Sequence, residues 1–508
     1  MKETGGSPVR RLTGTRAEIW PVVAVSGVLF AVLMACAGRY GVFRDEFYIR
    51  ESGRHLAWGY PDHPPLSPLI ARIADELAPG SLIALRIPAA LAAAATVLLI
   101  GLVAREFGGG RAAQFLAATV AASSILVQVS GHILTTATID LVFAAALVFV
   151  LARLLRTGDR RLWPVAGIVL GFGLLNRVFL VVYAVVVLAA VVAAGPRAVL
   201  RGKWLPVGVL TAALIALPTV LWQARNGWPE WQMVTEISAG TSRVELLAFQ
   251  LVIVGVLLVP VWVAGLWWLL RNPRMRCFGV AFLGLLGVLL VTGGREHYLF
   301  EAYPPLLAAG GVVAADWAVT GARRLRVTVL AIVVVFSAAS AAVFSLPVLP
   351  LPVLADSPVL EINDQTGEQI GWPEMGRAVA EVVDRLPADV RDDTVILADN
   401  YGQAGAIAEF GPHFVREGTG FPPVYSGHQA YGWWGPPPER YRTAIVLGTD
   451  APSVVPPWAE RACGRLTEVA AVHNDYGISN DENGTRIFHC ENLTESWSDL
   501  WPRIRHIG

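Results

Sequence analysis

The chain has 508 residues, of which 54% are hydrophobic and only 16% charged, with a mean hydropathy of +0.52. Soluble domains carry about 25% charged residues, so lipid rather than water is the main solvent for this sequence. Forty Lys+Arg balance forty Asp+Glu, and without a basic surplus no nucleic-acid partner is expected.

A helix needs roughly 20 apolar residues to cross a bilayer core. Eleven runs of that kind are expected, at about 19–37, 82–104, 112–131, 133–152, 162–176, 178–194, 204–222, 246–270, 277–294, 298–319 and 327–347. Those at 133–152, 162–176, 178–194 and 298–319 are the weakest, being short or carrying Asp140, Glu301 or Asp316. Basic residues fall in every second loop: Lys2, Arg10, Arg11 and Arg16, then Arg105 and Arg111, then Arg153 to Arg161, then Arg197 to Lys203, then Arg271 to Arg276, then Arg323 to Arg326. Because Lys and Arg remain in short cytoplasmic loops, this places the N-terminus inside and the tail from about Leu351 outside. The first run lacks a small-residue cleavage site and is read as a retained helix.

Between the first two runs lies the longest outer loop, 38–81. It contains Arg44-Asp45-Glu46, an amphipathic stretch from Tyr48 to Trp58, the turn-rich Gly59-Tyr60-Pro61-Asp62-His63-Pro64-Pro65, and a second amphipathic stretch from Leu66 to Leu77. Such stretches suit the membrane surface. A second outer loop, 223–245, is rich in Trp. After a Pro-rich linker, Leu346 to Pro352, the tail reads as mixed α/β, with a helix over Met375–Leu386, a strand over Thr394–Ala398, a short helix over Ala404–Phe410 and a strand over Arg442–Leu447. It contains neither a dinucleotide fingerprint nor a phosphate-binding loop. The expected fold is a mainly α polytopic membrane domain over 1–349, with about eleven transmembrane helices, followed by an extracytoplasmic α/β domain over 350–508. Cys463 and Cys490 form either a disulfide, in an oxidising compartment, or two unrelated thiols.

The ionisable groups that the charge pattern sends to the outer side are the chemical candidates. Asp45 and Glu46 follow the first run; adjacent acids are also common on solvated loops. Asp140 stands at the outer edge of the 133–152 run, where a charge near hydrocarbon points to function or an ion pair, unless it caps a helix begun by its Thr neighbours. Arg177 and the group Arg295, His297 and Tyr298 put cations at headgroup level, where guanidinium suits phosphate. His55, His63 and His132 form no zinc-protease spacing. Carboxylates and cations on one membrane face fit transfer from a lipid phosphate.

Arg44-Asp45-Glu46-Phe47-Tyr48, followed by Gly59-Tyr60-Pro61-Asp62-His63-Pro64-Pro65-Leu66, resembles the GT-C class of polyprenyl-phosphate-sugar-dependent glycosyltransferases, specifically the bacterial relatives of protein O-mannosyltransferases in glycosyltransferase family 39. Leu134 to Asp140, the Gly-rich approach to Asn176-Arg177, and His297-Tyr298 before Pro304-Pro305 add to the resemblance. It implies an outward cavity under the first loop, a polyprenyl-phosphate sugar donor entering from the membrane lipids, and an extracytoplasmic acceptor. It further implies Asp45 and Asp140 as the catalytic acids, Asp45 taking the acceptor proton, with Glu46, Tyr60, His63, Arg177, Arg295, His297 and Tyr298 binding substrate. Displacement would proceed with inversion. Arg177 stands where relatives commonly carry Lys. A divalent ion, Mg or Mn, held by Asp45 and Asp140 is compatible with the resemblance, as is metal-free transfer. The implied location is the bacterial cytoplasmic membrane. The tail segments Asn400 to Ala406 and Tyr425 to His428 resemble the extracytoplasmic domain of actinobacterial members. A transporter or lipid flippase, or a non-catalytic scaffold, are the alternatives; the sequence shows none of the repeat symmetry common in transporters.

Overall fold

The computed structural model describes residues 19–237, 242–448 and 455–507. The basic residues of the N-terminus, Lys2, Arg10, Arg11 and Arg16, lie outside the described residues. Every one of the eleven apolar runs coincides with a helix or a pair of helices. Among the described residues four helices are long and apolar enough to cross a membrane, Leu82–Glu106, Thr136–Thr157, Trp204–Arg225 and Arg323–Ser345, and counting each bent pair as one span brings the number to six. Trp20–Cys36, Leu162–Leu174, Leu180–Ala194 and Arg276–Thr292 are shorter apolar helices.

Three runs depart from a single regular helix, each for a local reason. Within 112–131, Arg111–Ala122 and Ile125–His132 meet at 60°. There Ser124 Oγ donates to the Ala121 carbonyl at 2.6 Å and accepts from Val127 N–H at 3.3 Å, ending one helix and capping the next. Within 246–270 the two halves meet at 81°, at Gly255 with φ +104°, a conformation open to glycine. The run 298–319 begins as a 3-10 helix, Glu296–Ala302, and becomes α-helical at Tyr303–Val319, where Pro304 and Pro305 occupy the first turn.

The first loop folds into two helices, Arg44–Arg54 and Leu66–Leu77. The tail is built on a five-stranded sheet in the order β2-β1-β3-β5-β4. Its strands are β1 Thr394–Ala398, β2 Val424–Ser426, β3 Thr443–Leu447, β4 Cys463–Ala471 and β5 Arg486–Leu493. β1 runs parallel to β2 and β3, whereas β5 is antiparallel to β3 and β4. β1 and β3 are buried throughout because both faces are covered. Val395, Leu397, Ala444 and Val446 pack against Trp497, Leu500 and Trp501 of the C-terminal helix. On the opposite face, Ile396, Ala398, Ile445 and Leu447 pack with Trp372, Met375 and Val379. The expected elements at 375–386, 394–398, 404–410 and 442–447 are present within a few residues; β2, β4 and β5 were not anticipated. Cys463 and Cys490 form a disulfide with Cα atoms 5.4 Å apart, stapling neighbouring strands β4 and β5 rather than closing an end of the domain.

One packing feature governs the site. The core on the Trp372 side of the sheet also contains Val42, Phe47, Tyr48 and Tyr60 of the first loop, so loop and tail share one hydrophobic interior. The helix Tyr401–Phe410 reaches the first-loop helix through glycines. A Cβ on Gly405 would stand 2.5 Å from Phe47 Cβ, and one on Gly402 would stand 3.0 Å from Arg44 Cβ. Spaced three apart, the two glycines form one small face that lets the helices approach closely.

Candidate active site

The adjacent acids Asp45 and Glu46 face opposite ways. Glu46 is fully buried against Arg86, which is 1% exposed. Arg86 donates to both Glu46 oxygens, Nε at 3.0 Å and Nη2 at 2.8 Å. The Phe43 and Leu134 N–H groups, at 2.9 Å and 3.1 Å, also donate to this carboxylate. Arg86 in turn donates to the Ala37 and Gly41 carbonyls and to Gln369 of the tail. Such a buried ion pair, with its hydrogen bonds filled, fixes geometry. Glu46, expected to bind substrate, is thus a clamp that anchors the start of the Arg44–Arg54 helix.

With Glu46 held inside, Asp45 is turned outward and keeps 36% of its side chain accessible. Tyr401 of the tail donates to its Oδ1 at 2.7 Å. Tyr48, one turn along the same helix face, donates to Asp62 at 2.5 Å and accepts from the Ala430 N–H at 3.1 Å. The cleft is enclosed enough that burial raises the Asp45 carboxyl above its ordinary range, against Arg44 and the Tyr401 hydrogen bond, which lower it. Burial and the neighbouring Asp45 likewise raise the Tyr401 phenol, so its proton stays in place as a donor. Across the cleft, Glu230 in the Trp-rich second outer loop is pushed up to about 7 by burial and by Asp62, against the pull of Arg177.

His63 stacks on Tyr48 at 5.1 Å and keeps both ring nitrogens without a hydrogen-bond partner among the described residues. Tyr60 does not reach the cleft. It is 2% exposed, its hydroxyl donates to the Ser52 carbonyl at 2.7 Å, and it accepts from the Ala57 N–H at 3.2 Å. Its role is to close the turn after the helix, a correction to its expected part in substrate binding.

A second group lies where the first loop meets the membrane helices. Asn176, fully buried, accepts from Ser67 at 2.6 Å and donates to the Thr136 carbonyl at 2.7 Å, tying the Leu66–Leu77 helix, the turn before Arg177 and the start of Thr136–Thr157 together. Thr135 caps that last helix with Thr138, so Asp140 is not the cap and sits one turn inside, 1% exposed. Its neighbours are Glu301, also 1% exposed, and Arg177. Among the described residues neither carboxylate has a hydrogen-bond partner beyond the other. The Arg177 guanidinium rests over the Tyr298 ring at 5.1 Å, and Tyr298 stacks on Phe179 at 4.5 Å and meets His297 edge-on at 4.7 Å. Arg295 is exposed and approaches the group only through His297.

The structure therefore sorts the expected residues into two acidic pairs, Asp45 with Asp62 and Asp140 with Glu301. The charged and hydrogen-bonding neighbours of Asp45 and those of Asp140 differ, so the two acids do not form one donor set for a shared ion, the arrangement that a metal-dependent transfer would need of them. Among the described residues no three His, Cys, Asp or Glu side chains converge as a metal shell. The sequence reading missed Arg86, Tyr48, Glu230, Glu301 and Tyr401 as site residues. Glu301 carried a usable signal, an ionisable group in an apolar run; Tyr401, 356 residues from Asp45, carried none.

Residues 62–222 match the family of dolichyl-phosphate-mannose-protein mannosyltransferases. No curated protein matches the chain by sequence. Among solved structures, ArnT from Cupriavidus metallidurans in the apo state superposes with a TM-score of 0.56 at 14% identity, covering 93% of this chain and 97% of ArnT. The same enzyme bound to undecaprenyl phosphate gives 0.56 at 16% identity over the same shares of the two chains. The arabinofuranosyltransferase AftD from Mycobacteria gives 0.53 at 14% identity, over 95% of this chain and 40% of AftD. This chain thus has the fold of the GT-C glycosyltransferases, and over residues 62–222 it resembles the dolichyl-phosphate-mannose-protein mannosyltransferase family in sequence.

Proposed function

We propose that the protein is a membrane glycosyltransferase that moves a sugar from a polyprenyl phosphate to an acceptor outside the cytoplasmic membrane of a bacterium. The observation that carries this reading is Asp45, an accessible carboxylate oriented by Tyr401 in an enclosed cleft where Glu230 feels both Asp62 beside Asp45 and the cation Arg177. In this reading Asp45 accepts the proton of the acceptor hydroxyl as its oxygen attacks the anomeric carbon. The bond from that carbon to the phosphate oxygen breaks with inversion, and polyprenyl phosphate leaves with the electron pair. A carboxyl raised above its ordinary range is better matched to that proton transfer near neutral pH. Arg177, steadied by the Tyr298 ring, faces the departing phosphate, and His63 and His297 border the substrate. Undecaprenyl phosphate in the ArnT structure supports a lipid of this kind as donor.

Residues 1–349 form the membrane domain, with eleven crossings, and 350–508 the outer domain in this reading. The Cys463–Cys490 disulfide supports an oxidising compartment for the tail. The test is transfer by purified protein in lipid, using radiolabelled polyprenyl-phosphate sugars that carry mannose, arabinose, glucose or an aminosugar. Turnover that falls by about 10²–10⁴-fold in Asp45→Asn, with melting unchanged, is the expected result. No turnover of any donor by folded wild type, even with membrane acceptors, sinks the reading in favour of a transporter or scaffold.

A further inference from the structure

At the end of the membrane helices remote from the transfer site, two loops gather cations around a cavity that transfer chemistry does not use. It measures about 490 Å³ and is bounded by Asp159, Arg160, Arg161, Arg201, Lys203 and Trp204. The helix Thr136–Thr157 runs from the turn that bears Asp140 to the edge of this cavity. At 1.5 Å per residue the two are separated by roughly 25 Å, close to the thickness of a bilayer core. Under the orientation expected from the basic loops, the cavity opens on the inner face of the membrane.

The fold fixes the spacing of these cations. The helices Leu162–Leu174 and Trp204–Arg225 both start at the cavity and meet through glycines: a Cβ on Gly167 would stand 2.1 Å from the Gly208 carbonyl oxygen, and one on Gly208 would stand 2.5 Å from that of Trp163. The two loops are also joined directly, Arg160 Nη1 donating to the Arg201 carbonyl at 3.2 Å and Trp163 Nε1 to the Val199 carbonyl at 2.9 Å. Residues 41 apart in sequence are thereby held side by side. Both helices begin without a side-chain cap or an acid in the first turn, so the positive ends of their dipoles add to the charge of the side chains.

The lining selects an anion. Four cations face one carboxylate, Asp159, which accepts from the Arg161 N–H of its own loop at 3.0 Å. Among the described residues none of the four cations is in an ion pair. Arg160 uses one of its five N–H donors on the Arg201 carbonyl, and Lys203 lies 5.4 Å from the Trp204 ring, a contact that leaves its N–H groups free to donate. Cations of the neighbouring inner loops are taken up by the protein instead: Arg156 pairs with Glu106, Arg276 donates to the Ala194 carbonyl and Arg326 to the Trp317 carbonyl. Convergent guanidinium and ammonium donors suit a phosphate. Farther along the same two helices, Val165, Ile168 and Phe172 on one and Leu210, Leu214 and Leu217 on the other are exposed. Acyl chains attached to a phosphate in the cavity can cover such side chains, whereas a free phosphate gains nothing from them. We propose that this cavity binds the phosphate headgroup of an anionic phospholipid of the inner leaflet.

The full chain, delipidated in an uncharged detergent, would be titrated with phosphatidylglycerol, phosphatidylcholine and inorganic phosphate, and bound molecules counted by native mass spectrometry. Phosphatidylglycerol binds about tenfold or more tightly than phosphatidylcholine, and Arg160→Gln combined with Arg201→Gln removes that preference. Arg323→Gln combined with Arg324→Gln, two exposed cations of another inner loop, leaves it in place. Arg161→Gln, at an exposed side chain, weakens binding severalfold with melting unchanged and keeps the test decisive if the first double variant does not fold. The proposal is overturned if wild type shows no preference for the anionic lipid, or if the Arg323 and Arg324 variant loses as much, which would mean a diffuse surface field only. Inorganic phosphate binding as tightly as the lipid would make the cavity a site for free anions, and loss of the preference in Arg177→Gln would place the lipid in the transfer cleft; either result also overturns it. The inference rests on the membrane reading alone, and because no turnover is measured, failure of the transferase reading would leave these outcomes unchanged.

Discussion

The outer and inner acidic pairs are made of the same chemical groups in opposite conditions. At the outer pair each carboxylate accepts a phenolic hydrogen bond, Asp45 from Tyr401 and Asp62 from Tyr48. Behind them Glu46 and Arg86 satisfy one another inside a shared hydrophobic interior. At the inner pair Asp140 and Glu301 face each other with Arg177 near, and among the described residues they have no hydrogen-bond partner beyond one another. A carboxylate supported by fixed donors is held in one position and keeps a defined proton affinity. Two buried carboxylates that have only each other to bond disfavour carrying two charges at once, so the inner pair is the less supported of the two. The outer region is therefore held in one arrangement, whereas the inner pair rests on itself and one cation.

That contrast can be broken most forcefully at the clamp. Glu46→Gln leaves Arg86 buried without its counter-ion and is expected to destabilise the protein by about 3–5 kcal/mol, read as a large fall in the melting temperature of purified protein. A Glu46→Gln variant that melts like wild type but loses transfer would return Glu46 to the substrate side. The inner pair should respond with the opposite sign. Glu301→Gln replaces a facing carboxylate with an amide that can donate to Asp140, and stability is expected to rise by about 1 kcal/mol. A fall in melting temperature would show that the pair is already satisfied and would erase the distinction between the two regions.

The smallest and most specific effect is expected at Tyr401. Its hydrogen bond lowers the Asp45 carboxyl, which burial otherwise raises. Tyr401→Phe removes that support, so the carboxyl rises further and the acid limb of the pH–rate profile moves to higher pH, while Asp45 stays present and the melting temperature changes little. An unmoved limb would mean that Asp45 does not set it.

Much of the architecture was legible because hydropathy is additive along a chain. The eleven apolar runs, the two first-loop helices and the buried strand 394–398 all follow from local periodicity and length. The three broken runs were less legible, since a bend depends on one serine pair, one glycine φ or a proline-rich start. The strand β4 escaped because its exposed, polar pattern resembles loop sequence until a neighbouring strand supplies hydrogen bonds, and β5 because His489, Glu491 and Asn492 interrupt its buried Ile487, Phe488, Cys490 and Leu493.

Residue types and their places along the apolar runs were legible in the sequence: acids after the first run, Asp140 at the edge of another, Arg177 in a polar break. Which acid faces the cleft was not. Asp45 and Glu46 are chemically near-identical neighbours, and only the buried guanidinium of Arg86, forty residues from Glu46, turns one inward and the other out. The partner of Asp140 and the hydroxyl on Asp45 come from segments 161 and 356 residues away, and the glycine face that admits the hydroxyl lies on the same helix as Tyr401. Local sequence carries solvation preference, but hydrogen-bond geometry is directional and short-ranged, and it exists only once tertiary packing has brought its two ends together.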